Sequence, residues 1–165
     1  MRKIIAFIGK LNSFFGFLSG LCVAAASILI ISEIASRLVL EKSFQITDEF
    51  TGYLMAVSSF LGLGYVELKN GHIRMDLIDL LRSRFPRVLR ALRIVTYVLA
   101  AVFALYLTYV GFKLFQQSYE YGSKSMQVSA TPLAIPQIFV PIGAAALFLQ
   151  YICNLCRYCM DGTSK

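Results

Sequence analysis

Residues 11–32, between Lys10 and Glu33, form an unbroken run of 22 uncharged and mostly apolar residues. As a helix, such a run crosses a hydrocarbon core about 30 Å thick. It has counterparts. Residues 50–66 give 17 uncharged residues between Glu49 and Glu67, with Tyr53 and Tyr65 suited to the interfaces, and residues 94–112 give 19 between Arg93 and Lys113. A last run lies in the uncharged stretch 125–156, where Thr131 is expected to cap a helix whose first residue is Pro132. None of these runs alternates, so helices rather than barrel strands are expected to satisfy the backbone in lipid. The expected fold is an all-α integral membrane protein, a single domain over residues 1–165. Its four transmembrane helices fall at about 11–34, 50–67, 94–115 and 132–156. The first run exceeds a typical signal-peptide core and no small-residue cleavage site stands out after it, so a retained signal-anchor is expected.

Composition agrees: 58% hydrophobic and 15% charged residues, with a mean hydropathy of +0.68, leave more apolar surface than one small globule can hide. The net charge of +7 would prompt a search for nucleic-acid contacts in a soluble chain. Position decides otherwise. Of the 16 Lys and Arg residues, twelve lie in the N-terminal segment, the segment between spans two and three, and the tail, while the other two connections hold four. The positive-inside rule then puts both termini and the central segment in the cytoplasm, and no nucleic acid is needed to explain the charge.

Within the central segment, Leu77, Ile78, Leu81, Phe85, Val88, Leu89 and Leu92 recur at helical spacing. Asp79, Arg82, Arg87, Arg90 and Arg93 fall largely opposite them. This pattern predicts an amphipathic helix at about 76–85, lying in the cytoplasmic interface with its arginines among phospholipid headgroups. Asp76 reads as its N-cap, and Pro86 breaks it before the third span. The bland alternative is a solvated basic loop that only enforces topology. Residues 1–10, with Ile4, Ile5, Phe7 and Ile8 among three cations, read as a second interfacial helix.

Few residues offer chemistry. His72 is the only histidine, which excludes a bis-histidine haem. Cys153, Cys156 and Cys159 repeat every three residues, but a fourth cluster ligand is missing and structural thiols are expected. A thiol redox role is the competing reading. Glu33 and Arg37, four apart near the outer end of span one, are placed to pair, fixing helix packing or, alternatively, forming an ion or proton site of a small independent carrier. Thr47, Asp48 and Glu49 read as a hydroxyl cap followed by two carboxylates that complement the helix dipole of span two. Ser58, Gly62 and Gly64 permit close helix approach, and Pro136, Pro141 and Gly143 predict a bend in span four. Catalysis is not expected: no nucleophile with its base, phosphate loop or metal set is present.

The string Gly71, His72, Ile73, Arg74, Met75, Asp76 just after span two carries a resemblance, together with Arg37 after span one and the Asp48–Glu49 pair before span two. Pro132, Leu133, Pro136, Pro141, Ile142 and Gly143, leading into span four, complete it. In this order and spacing the chain resembles the small permease subunit, DctQ type, of tripartite ATP-independent periplasmic transporters, over essentially its whole length. The resemblance implies a bacterial inner-membrane transporter that is driven by a sodium gradient and carries an organic acid, a carboxylate or sulfonate. A periplasmic solute-binding protein would deliver the solute, and a large multi-span permease subunit would hold the substrate and sodium sites and make an elevator movement. The small subunit would be the fixed scaffold, with no cofactor and no sodium bound to this chain. Glu33, Arg37, Asp48, Glu49, Gly71, His72, Arg74, Asp76, Arg82 and Arg87 are then expected at partner or lipid interfaces, not against substrate.

Overall fold

The computed structural model describes residues 2–41, 43, 46–69, 86–127 and 129–161. Among these residues there are five helices: α1 (Arg2–Leu40), α2 (Thr47–Leu68), α3 (Pro86–Glu120), the single turn α4 (Ala134–Gln137) and α5 (Phe139–Asp161). By length and composition three stretches among them can cross a membrane, Ile5–Leu40, Ala91–Glu120 and Ala134–Tyr158. The expected second span corresponds to α2, whose 22 residues are long enough. It is not among those three stretches, and glycines, hydroxyls and acidic residues at both ends interrupt its apolar run.

That composition suits where α2 sits. It lies between α1 and α5, while α3 packs on the far side of α5. Ser58, Gly62 and Gly64 all face α1. Ser19 Oγ donates to the Ser58 carbonyl at 2.8 Å, and a methyl group at Gly62 would stand 3.1 Å from Ser19 Oγ. A methyl at Gly64 would collide with the Asn12 carboxamide, and one at Gly143 of α5 with the Phe60 carbonyl. The backbones approach too closely for side chains, and van der Waals contact replaces the hydrophobic driving force that lipid does not supply.

The outer helices differ. Only 6% of the most apolar window of α1 is buried and 17% of that of α3, against 39% for the stretch containing α5. Phe14, Phe17, Leu21 and Ile28 of α1 and Leu99, Val102 and Phe103 of α3 lie exposed. The inward side of α3 is made of small residues, Ala101 and Ala104, with Gly111 close against Val140 and Pro141.

Several boundaries depart from expectation. Residues 2–10 form no separate helix but continue into the first run, making α1 39 residues long, or about 58 Å. Thr131 does not cap span four: its carbonyl accepts from Ser125 N at 2.9 Å, and Pro132 pairs with Lys124 in an isolated bridge. The helix starts at Ala134 and is interrupted at Ile138. Pro141 lacks the N–H that would return to the Gln137 carbonyl, one residue before this interruption. The third helix is described from Pro86 onward. It ends at Gly122 with φ of 58°, with Ser123 N reaching Ser118 O at 3.0 Å and Gly122 N reaching Tyr119 O at 3.3 Å. This Schellman arrangement needs a residue without Cβ strain in the left-handed region. The interfacial helix expected at 76–85 lies outside the described residues.

Candidate functional site

Polar side chains gather at the two ends of the bundle. Where α1 turns into α2, Glu33 is 6% exposed although its residue type is almost never buried unpaired. Its Oε1 accepts from Arg37 Nε at 2.7 Å and from Ser43 Oγ at 2.6 Å, and its Oε2 accepts from Thr47 Oγ1 at 3.1 Å. The i, i+4 spacing brings Glu33 and Arg37 onto one face of α1. Arg37 keeps 59% of its side chain exposed. Thr47 is therefore not the helix cap expected of it. The cap position is Ile46, with no side-chain bond, and the Thr47 hydroxyl goes to the stronger acceptor, a buried carboxylate.

Asp48 and Glu49 both occupy the first turn of α2, where negative charge is favoured. They differ in burial. Asp48 is exposed, whereas Glu49 is buried and accepts from Tyr53 Oη at 2.6 Å and from Ser129 Oγ at 2.5 Å. Ser129 and Thr131 share a further hydroxyl contact at 2.6 Å. The Ser129 hydrogen bond first, then that of Tyr53, holds the Glu49 carboxyl below its ordinary value of 4.5. Glu49 thereby ties the connection between α3 and α4 to the start of α2.

At the opposite end a ladder crosses three helices. Asn12 Nδ2 of α1 donates to Gln150 Oε1 of α5 at 2.8 Å, Gln150 Nε2 donates to Asn154 Oδ1 at 3.1 Å, and Asn154 Nδ2 donates to Glu67 Oε1 of α2 at 2.6 Å. Asn12, Gln150 and Glu67 are at most 2% exposed. Each amide donates in the same sense toward the carboxylate, leaving Asn12 Oδ1, over Gly64, as a buried oxygen without a partner. The sequence reading did not single out these four residues. The available signal was a set of polar side chains inside otherwise apolar runs, with Gln150 and Asn154 four apart on one face.

Of the remaining expected positions, Gly71, His72, Arg74, Asp76 and Arg82 lie outside the described residues. Arg87 lies in the first turn of α3. Arg93 stands over the Tyr158 ring at 5.5 Å, joining α3 to α5. Cys153 is buried and Cys156 exposed, both free. Among the described residues no group of three or more His, Cys, Asp and Glu side chains could hold a metal ion.

These features define a multi-helix membrane protein whose polar groups point inward to one another and whose apolar flanks point outward. A model of one family, described as tripartite ATP-independent periplasmic transporters, DctQ component, matches residues 26–159, and the chain belongs to that family. No curated protein matches the chain. The family is a transporter component and not an enzyme family; it works as the small membrane subunit beside a large permease and a binding protein.

Proposed function

We propose that this chain is the fixed scaffold of a sodium-driven transporter for organic acids, either carboxylates or sulfonates, in a bacterial inner membrane. The large permease subunit moves solute and sodium, a periplasmic binding protein supplies the solute, and this chain binds neither. One observation carries the reading: the buried polar groups at both ends are engaged with each other across helices, as in a brace, while α1 and α3 present apolar flanks. Glu33, the carboxylate an independent carrier would use, is occupied by Arg37, Ser43 and Thr47. That favours packing over ion coupling.

In this reading α2 is the fourth span, tolerating its small residues and acidic ends because it runs between α1 and α5. The charge bias supports cytoplasmic termini, so the ladder lies at the cytoplasmic end and the Glu33 and Glu49 clusters at the periplasmic end. The central segment containing His72, Arg74, Asp76 and Arg82 lies along the cytoplasmic leaflet, among anionic phospholipids. Arg74→Gln is expected to reduce assembly or uptake.

The test is reconstitution. Vesicles holding this chain, its large permease and the binding protein should accumulate solute only with an inward sodium gradient, and vesicles holding this chain alone should accumulate none. Full-rate uptake by the chain alone would refute the scaffold role. Loss of coupling in Glu33→Gln, with the complex still assembled, would favour a carrier.

A further inference from the structure

The exposed faces of α1 and α3 are not equivalent. Within the bundle, side-chain hydroxyls at membrane depth find acceptors close by. Ser27 and Ser59 return to the carbonyls of Val23 and Met55, Thr96 and Thr108 to those of Leu92 and Ala104, and Ser19 reaches Ser58 of α2. A short hydroxyl can bend back onto its own helix in this way. A tyrosine cannot, because its ring carries the oxygen away from the backbone. Tyr106 is 62% exposed, and among the described residues its hydroxyl has no hydrogen-bond partner. It lies near the middle of the Ala91–Glu120 stretch, seven residues or about 10 Å along the helix from Lys113. Among acyl chains lipid offers no hydrogen-bond partner, so leaving the phenol in hydrocarbon is unfavourable.

Tyr106 also stands in a consistent face. Leu99 and Val102 precede it and Tyr109 and Lys113 follow it at spacings of three and four, all exposed, with Lys113 Nζ held 5.1 Å from the Tyr109 ring centroid. On the outer face of α1, Phe17, Leu21 and Ile28 are apolar and the exposed Ser27 beside them is satisfied by the Val23 carbonyl, so that face suits acyl chains.

We propose that the face of α3 centred on Tyr106 is where the large membrane subunit docks, and that a hydrogen-bonding group on that subunit meets the Tyr106 hydroxyl in mid-bilayer. The inference rests on the scaffold reading and names its contact surface. The facing helix is otherwise apolar and carries an acceptor or negative group level with Lys113. The outer face of α1 is left to lipid.

A photoreactive benzoylphenylalanine placed at Tyr106 in the complete complex should form an adduct with the large subunit, and the same probe at Leu21 should label lipid alone. Self-adducts or lipid-only labelling at Tyr106 while the two subunits co-purify would overturn the face assignment and leave the scaffold reading standing. Failure of the subunits to co-purify at all would overturn the scaffold reading and this inference with it. Tyr106→Phe deletes only the hydroxyl. It should weaken retention of the large subunit by roughly three- to twentyfold, the range of single interhelical hydrogen bonds in membranes. The isolated chain should unfold at an unchanged temperature. Unchanged retention would remove the hydrogen bond from the proposal.

Discussion

The two ends of the bundle solve the same problem by different means. Around Glu33 and Glu49 the carboxylates are held by hydroxyls and by an arginine that still reaches water, mostly between residues close in sequence. Around Glu67 the partners are carboxamides, all but Asn154 fully buried, drawn from α1, α2 and α5 and separated by 87 and 138 positions. The first arrangement can rearrange through solvent when disturbed; the second cannot. Substitutions at the ladder should therefore cost more than equally conservative ones at the Glu33 end.

The sharpest way to break this contrast is Asn154→Asp, which sets a second carboxylate against Glu67. It should cost about 3–5 kcal/mol, the range for an uncompensated buried charge, read as thermal unfolding in detergent. Adding Glu67→Gln should recover most of the loss, because the new amide can donate to the new carboxylate. No recovery in the double variant would show that packing, not the hydrogen bond, is what matters there. Next in size, Gly64→Ala should cost about 1–3 kcal/mol by driving a methyl into the Asn12 carboxamide. Gly20→Ala, with nothing within 4 Å of the added carbon, should cost nothing. At the other end Arg37→Ala should cost below about 1 kcal/mol, since the guanidinium is largely exposed and Glu33 keeps two hydroxyl donors. A larger loss would erase the distinction between the ends.

The smallest effect is in pH. Because its hydrogen bonds depress the Glu49 pKa below 4.5, they stabilise the fold at pH above that value and fade as acid takes the pH through the lower folded value. Glu49→Gln should flatten the acid limb of a stability profile below about pH 4.5 and leave the neutral region little changed.

Much of this was legible in the sequence where local rules decide. Uncharged runs mark the helices, and the spacing of Glu33 and Arg37 foretells their contact. Ser58, Gly62 and Gly64 announce a close helix pair. The two cap misreadings share one cause. Thr47 and Thr131 looked like caps because a hydroxyl before an apolar run usually is one, yet each is engaged elsewhere: the Thr47 hydroxyl donates to Glu33, and Thr131 shares a hydroxyl contact with Ser129 while its carbonyl accepts from Ser125 N. The N-terminal break was expected from charge, but nothing between Lys10 and Asn12 interrupts helical hydrogen bonding, so α1 runs through. The ladder depends on which faces of three helices meet, and neither spacing nor propensity within one segment reports that.

The unbroken course of α1 has a mechanical consequence. A rod nearly twice as long as the oily layer is thick, with no hinge along its length, cannot bend to absorb a push at one membrane surface. Displacement of the end bearing Lys3 and Lys10 is handed on as tilt to the end bearing Glu33 and Arg37, and the two faces of the bilayer are yoked through a single lever.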